Sequence, residues 1–86
     1  MLEVRHLTTL LAIEEAGSLM EAAERLHVTQ SALSHQLKDL EGRLGVELLV
    51  RRTRPVRFTT AGLRVLTLAR EVLPRVQQTE REVKRL

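Results

Sequence analysis

The segment TQSALSHQLKDLE, which spans residues 29–41, has the spacing of an amphipathic helix with two chemically different faces. One face is a stripe of leucines that recur every three or four residues: Leu33, Leu37, Leu40 and Leu44. The opposite face carries hydrogen-bonding side chains of mostly short reach: Gln30, Ser31, Ser34, His35 and Lys38. An ordinary solvent-exposed face would carry more charge, whereas base edges in the DNA major groove offer donors and acceptors that such side chains complement. The segment therefore predicts a recognition helix, with the Thr29 hydroxyl as its N-cap.

The composition favours one small helical domain. The chain has 86 residues, enough for a modest core, and Phe58 is its single aromatic residue, so that the core must consist of Leu, Val, Ile and Ala. The formal net charge of +3 suits a polyanionic partner such as nucleic acid. The absence of cysteine excludes disulfides and thiolate chemistry and permits a reducing compartment.

Other classes of protein find little support. The first six residues lack the basic leader and long apolar run of a signal peptide, and no apolar stretch is long enough to cross a bilayer, so we expect a soluble cytoplasmic protein. His6 and His27 are isolated and lack the spacing of metal ligands, which indicates structural roles and no metal or cofactor. Ser34 and His35 are adjacent on a helix and point about 100° apart, which is wrong for a nucleophile and its base. The chain is therefore not expected to be an enzyme.

Two shorter helices precede the recognition helix. An apolar side over residues 6–15 predicts the first, and Gly17 ends it because glycine tolerates the left-handed turn. Ser18 opens the second, and Glu21 completes the pattern of a capping box. His27 and Val28 form a short turn before Thr29. Two short helices joined by a tight turn, the second with a polar face, form a helix-turn-helix.

A two-stranded hairpin and a long helix complete the predicted fold. Residues 46–51 and 56–59 have the composition of short strands, and residues 52–55 form a basic loop between them. Thr59 or Thr60 then caps a final helix that continues to the C-terminus. The predicted fold class is mostly α: a winged helix-turn-helix of three helices and a two-stranded wing over residues 1–60, followed by a linker and dimerisation helix over residues 61–86.

The final helix is apolar on more than one side and therefore needs a second partner. The same helix of another copy would serve, which predicts a twofold dimer. Pro74 lies inside this helix, where proline removes a backbone hydrogen bond and costs about 3 kcal/mol. A kink or a break into two segments is therefore expected there. The predicted dimer contacts are six apolar residues of this helix: Val65, Leu66, Ala69, Val72, Leu73 and Val76.

Several separated motifs occur together in one order. They are GSL at 17–19, AA at 22–23, TQSALS at 29–34, LE at 40–41, LG at 44–45, LLVRR at 48–52 and FTTAG at 58–62. With this order and spacing the chain resembles, over essentially its whole length, the N-terminal domain of LysR-type transcriptional regulators. Within that family, TQSALSHQ at 29–36 and RPVRFT at 54–59 resemble the regulators of methionine biosynthesis. Most relatives carry Arg where this chain has His35, which the methionine regulators share, and Phe is common at the position of Leu49.

The resemblance implies a winged helix-turn-helix, a dimerisation helix and a C-terminal effector-binding domain that these 86 residues lack. We therefore expect the chain to be a part of a longer protein, tetrameric when complete, that binds an interrupted inverted repeat in duplex DNA. In the methionine branch the missing domain would sense a sulfur amino-acid intermediate such as homocysteine.

The resemblance also implies roles for residues on the third helix and the wing. The positions expected to face bases are Gln30, Ser31, Ser34 and His35, and contacts to phosphate or through the wing are expected for Thr29, Gln36, Lys38, Arg52, Arg54 and Pro55. Arg51, Arg52, Arg54 and Arg57 form a cationic cluster without an acid inside it. Alternatively the helix face is simply solvated, Lys38 pairs with a nearby acid, and the arginines only aid solubility. Arg51 or Arg57 could also lie on the outer side of its strand.

The sequence also permits a second class of function, which is binding to another protein. Winged helices also serve as protein-interaction modules, and a fold alone does not fix function. A docking surface would be expected to expose apolar or aromatic anchors, whereas this helix face is polar. The acidic outer sides of the first two helices, Glu14–Glu15 and Glu21 with Glu24, could contact a partner such as RNA polymerase, although a solvated face is the simpler interpretation.

Overall fold

The computed structural model describes residues 1–50 and 53–86. Within these residues four helices and two antiparallel strands follow one another as α1 (Val4–Ala16), α2 (Leu19–Arg25), α3 (Gln30–Leu44), β1 (Leu49–Val50), β2 (Arg57–Phe58) and α4 (Thr60–Lys84). This order confirms the predicted fold class, a mostly helical winged helix-turn-helix followed by a long helix. In the same described residues, no helix combines the length and the apolar composition needed to cross a membrane.

Side-chain caps fix where the helices begin. The Ser18 hydroxyl accepts from the Glu21 N–H (3.1 Å), which is one half of the predicted capping box, and the Thr29 hydroxyl accepts from the Ala32 N–H (3.0 Å). For α4 the cap is Thr59, one of the two predicted candidates, whose hydroxyl accepts from a first-turn N–H (3.0 Å). These bonds satisfy donors that a helix start otherwise leaves free.

The first helix begins two residues before the predicted start. Glu3 precedes it, and the Glu3 N–H donates to Nδ1 of His6 (3.0 Å), which confirms a structural role for that histidine. At the other end Gly17 adopts a left-handed conformation (φ 82°), and its N–H donates to the Ile13 carbonyl, as expected of a glycine that ends a helix. The turn between α1 and α2 is therefore short and defined.

The strands are shorter than predicted. Residues 46–51 and 56–59 were expected to be extended, but pairing is confined to Leu49 with Phe58 and Val50 with Arg57. Just before this ladder, the Leu48 N–H donates to the Glu41 carboxylate (2.6 Å) and the Leu48 carbonyl accepts from the Thr59 N–H (3.0 Å). Residue 51 of the predicted first strand lies outside the described residues.

The core is aliphatic, as the composition requires. Helix α1 packs against both α2 and α4, and α2 packs against α3. The largest fully buried side chains are Leu10, Ile13, Leu33, Leu48 and Leu66. Each such side chain stabilises the fold by about 1.5–3 kcal/mol relative to leaving it exposed. The single aromatic residue, Phe58, is only partly buried and packs at the edge of this core beside the wing.

Helix α4 runs unbroken through Pro74, so the predicted division into two segments is wrong. The preceding turns are held against α1, where Leu73 is buried and Arg70 forms an ion pair with Glu14. Pro74 itself is exposed and therefore costs the helix one backbone hydrogen bond without disturbing the core. The packing of α4 against α1 before Pro74 thus outweighs the free-energy cost of the hydrogen bond that the proline removes.

Candidate nucleic-acid interface

The polar face predicted on α3 is present and accessible. Gln30, Ser31, His35 and Lys38 are exposed, and Ser34 is half-buried beside them. Because α-helical residues turn about 100° each, these five side chains lie within one broad sector of the helix, opposite to or flanking the buried leucines. The structure therefore brings the four predicted base-contact residues and Lys38 together on one surface.

Lys38 is available for an external anion. Its neighbour Asp39 is instead paired with Arg43 (3.1 Å), one turn further along the same helix. Among the described residues no acid forms an ion pair with Lys38. This arrangement favours the phosphate interpretation of Lys38 over pairing with a nearby acid, the alternative left open by the sequence.

Thr29 lies at the start of the polar face and is exposed. Its hydroxyl accepts from the Ala32 N–H, so its primary role is that of a cap. The hydroxyl hydrogen remains free to donate outward, and backbone N–H groups at the same helix start attract anions. Thr29 can therefore cap α3 and also contact a phosphate.

Gln36 is separated from the other predicted contact residues. It lies about 160° around the helix from Lys38, which follows from their two-residue spacing. There it borders a small cavity between α1 and α3, together with His6 and Thr9. Gln36 consequently belongs to the side of α3 that faces α1, and any contact with a nucleic acid would be made away from the polar face.

The wing presents its basic loop to solvent. Arg54 and Pro55 are exposed, and so is Arg57 on β2, whereas Arg51 and Arg52 lie outside the described residues. The loop is held by local bonds. The Arg57 N–H donates to the Thr53 hydroxyl (3.2 Å), and the residue 56 N–H donates to the carbonyl of residue 17 in the α1–α2 turn (3.0 Å).

A cleft of about 420 Å³ lies between the wing and residues 17–20 at the start of α2, and it reaches the first residue of α3. Gln30 borders it on the helix side, and Arg54 and Val50 border it on the wing side. The start of the recognition helix and the tip of the wing therefore face one recess.

Sequence reasoning missed one residue of this region. Glu41, noted only as part of a motif, is buried on α3, and its Oε2 accepts from the N–H groups of Leu48 (2.6 Å) and Leu49 (3.3 Å). A glutamate beside the leucine stripe of an amphipathic helix is the signal that could have identified it, because buried carboxylates are rare unless they are hydrogen-bonded.

The residues predicted for dimerisation divide into two sets. Leu66 and Ala69 are fully buried within the chain itself, and Val65 and Leu73 nearly so, because this side of α4 faces α1 and the core. These four side chains are already covered inside one protomer. One stripe of apolar side chains on α4 is left half-buried or exposed, and so could meet a partner: Leu68, Val72, Val76 and Val83. Leu63 is also exposed but lies on another side of the helix.

The comparisons with known proteins agree with this geometry. The family model of the bacterial regulatory helix-turn-helix proteins of the lysR family matches residues 4–63. The regulator MetR of Haemophilus influenzae is 52% identical over 85 residues, which are 99% of this chain and 28% of that protein. MetR of Escherichia coli K12 is 56% identical over 78 residues, 91% of this chain and 25% of that protein. The chain thus spans about a quarter of the length of these relatives.

The backbone of this chain is also similar to those of solved structures. The BenM DBD in complex with catB site 1 DNA is 38% identical, with a TM-score of 0.89 over 98% of this chain and 90% of that one. The CbnR DBD–DNA complex is 37% identical, with a TM-score of 0.83 over 96% of this chain and 95% of that one. By its motifs, its fold and these similarities, the chain belongs to the lysR family of bacterial regulatory helix-turn-helix proteins.

Proposed function

We propose that this chain is the DNA-binding and dimerising domain of a LysR-type transcriptional regulator. Helix α3 enters the major groove with Gln30, Ser31, Ser34 and His35 toward base edges, and the wing contacts the flanking backbone or minor groove. One observation carries the proposal above all: the polar face of α3 is mostly exposed and mostly uncharged, and Gln30 at its start borders the same cleft as Arg54 of the wing. Reading bases and holding phosphate at adjacent places is what sequence-specific binding requires.

The similar BenM and CbnR domains, which were solved as DNA complexes, support this proposal. So does the position of the exposed large apolar side chains. None of those in the described residues falls between 29 and 45, so the α3 face lacks the anchors that a protein-docking surface would use. Glu14, one of the acids considered for a polymerase contact, is instead engaged by Arg70. The use of this winged helix as a protein-interaction module is therefore less well supported.

We propose that the active form is a homodimer joined through α4, which places two copies of α3 on one face of a duplex. The corresponding site is an interrupted inverted repeat whose spacing follows from the dimer. The exposed stripe of Leu68, Val72, Val76 and Val83 supports this arrangement because it continues an apolar side beyond the packing against α1. In the complete protein, which we propose to be cytoplasmic, tetramers are expected.

We also propose that the regulated genes belong to methionine or sulfur amino-acid metabolism. The proposal is supported by the similarity to several proteins named MetR, at 44–56% identity over most of this chain. His35 is exposed on the polar face of α3, where a change of side chain would alter base preference. Sensing of an effector would belong to a part of the complete protein beyond these residues.

Selection from a random pool of duplexes tests the proposal. Sequences retained by the purified chain should converge on an inverted repeat, and mobility shift should show at least a thousandfold preference for it over shuffled duplex, within the range of about 10³–10⁷ seen for specific binding. Convergence should be lost in a variant with alanine at Gln30, Ser34 and His35, while a variant with alanine at the exposed Gln78, on the side of α4 away from the apolar stripe, should behave as the native chain. A pool that never converges would contradict the proposed function.

A further inference from the structure

Glu41 is the one charged side chain that is buried among the residues the structure describes, at 7% exposure. Its carboxylate lies on α3, yet it accepts from backbone N–H groups at the first residues of the wing, Leu48 and Leu49. Hydrogen bonds to a charged acceptor are about twice as strong as neutral ones, and the shorter of these is 2.6 Å. A direct, strong link therefore joins the recognition helix to the wing.

The wing is held on its other side by different groups. The Leu48 carbonyl accepts from the Thr59 N–H (3.0 Å), and the Thr59 hydroxyl donates to the Glu47 carbonyl (2.7 Å), which ties the wing to the start of α4. A further bond runs from residue 56 to the carbonyl of residue 17. The contacts to α4 and to the α1–α2 turn fix the wing to the scaffold, whereas Glu41 fixes it to α3.

Glu41 lies on the same side of α3 as two of the residues proposed to contact bases. Ser34 and Gln30 precede it by seven and eleven residues, and at about 100° per residue all three lie on one flank of the helix. That flank faces the wing, because Gln30 and Arg54 border the same cleft. A shift of β1 relative to α3 would therefore change the distance between the base-reading residues and the wing arginine.

We infer that Glu41 is a positioning residue that holds the wing at a fixed spacing from the recognition helix, so that both contact one duplex together. The inference rests on the proposed function. Preorganisation of the two elements spares the complex the cost of ordering the wing on binding. Without the hydrogen bonds to Glu41 the wing remains attached to α4 and to the α1–α2 turn. Arg54 then contacts the duplex less fully while α3 is bound to it.

A double-mutant cycle between Glu41 and Arg54 tests this inference, with the slope of log affinity against log salt as the readout. In the native background Arg54→Ala should lower the magnitude of the slope by about 0.9, the value for one lost phosphate contact on duplex DNA. E41M keeps the side-chain length but removes the acceptor oxygens. In folded E41M, Arg54→Ala should lower the magnitude of the salt slope by less than half as much as in the native background. E41Q keeps an acceptor oxygen and should restore more than half of the Arg54 contribution.

The control is E24M, which removes the same charge from an exposed site on α2 and should leave the Arg54 contribution at its native size. Should E41M fail to fold, E41D takes its place with the same expected result, because its carboxylate falls one methylene short of the Leu48 N–H. A full Arg54 contribution in folded E41M or E41D would overturn the inference and show that Glu41 only stabilises the fold. A native chain that binds no duplex would instead overturn the proposed function, and the inference with it.

Discussion

Gly62 lies where α4 passes closest to the wing. A Cβ built at this position would lie 2.1 Å from the Leu48 carbonyl oxygen and 3.2 Å from Cβ of Phe58. The first obstacle is backbone that already accepts a hydrogen bond, so it has little freedom to move. Glycine is required here by close approach, and the contact it permits brings the wing, α3 and α4 together at Leu48.

Replacement of Gly62 by alanine should therefore destabilise the fold by about 1–3 kcal/mol or more, as inserting a methyl group into a packed region does. Chemical denaturation measures the change. Gly42→Ala is the matched control: Gly42 is also helical, but a Cβ added there would meet nothing within 4 Å, so alanine should stabilise by about 0.5–1 kcal/mol. Equal effects of the two substitutions would contradict the close approach at Gly62.

Gln30 should contribute specificity more than general affinity. Its side chain is exposed at the start of α3 and can pair bidentately with adenine. Gln30→Ala should cost about 1–3 kcal/mol on the selected duplex and relax the preference at particular base pairs, with little loss on shuffled duplex. Anisotropy titrations with both duplexes measure this. Equal losses on both would show that Gln30 only positions the domain.

The sequence predicted the polar face because periodicity identifies which residues of a helix lie opposite a leucine stripe. It was less informative about residues on the flanks of the stripe. Gln36 and Glu41 both lie there, and whether a flank faces solvent, α1 or the wing depends on contacts between distant parts of the chain. The link from Glu41 to Leu48 arises only after the wing has folded back onto α3.

In helix α4, packing against α1 keeps the helix continuous at Pro74, where local propensity alone would interrupt it. The sequence predicted a kink or a break at Pro74. The break does not occur: the turns before Pro74 are anchored by Leu73 and by the Arg70–Glu14 pair, and the helix continues to Lys84. Strand lengths were overestimated as well. Composition predicted extended chain over residues 46–51, but within the described residues the first strand contains only Leu49 and Val50, because strand pairing depends on contacts between distant parts of the chain.

Pro74→Ala should stabilise the long helix. Alanine restores the missing N–H and favours the helix by up to about 3 kcal/mol, reduced by the about 0.4–1 kcal/mol that proline contributes through the unfolded chain. Denaturation at fixed protein concentration measures the gain. Gln78→Ala, an exposed position one turn later, should change stability by less than about 0.5 kcal/mol. A loss of stability in Pro74→Ala would show that the proline is needed where it lies.

In the whole molecule, the C-terminal part of α4 projects beyond the core formed by the other helices and the wing. The molecule measures 46 × 25 × 20 Å, and every residue after Leu73 is exposed except the partly buried Val76. The sequence predicted a helix with two apolar sides and hence a second partner. It could not divide the residues between the two sides, because Leu66 and Val72 look alike until the packing against α1 is known.

Val76→Glu should weaken the proposed dimer and, through it, binding to the inverted repeat. A glutamate placed in the stripe with Val72 would be buried without a partner if the two helices pair. Sedimentation equilibrium should show a shift toward monomer, and affinity for the full repeat should fall toward that for a half-site. Gln78→Glu adds the same charge on the opposite side of α4 and should have little effect. An unchanged dimer in Val76→Glu would place the interface elsewhere.

DNA binding through α3 and the wing can be observed in a titration of the ¹⁵N-labelled chain with its selected duplex, followed residue by residue through amide chemical shifts. The largest changes should fall on residues 29–38 and 53–57, including the side-chain amide of Gln30, with α4 beyond Pro74 little affected. Changes confined to the apolar stripe of α4, with residues 29–38 unmoved, would contradict this mode of binding.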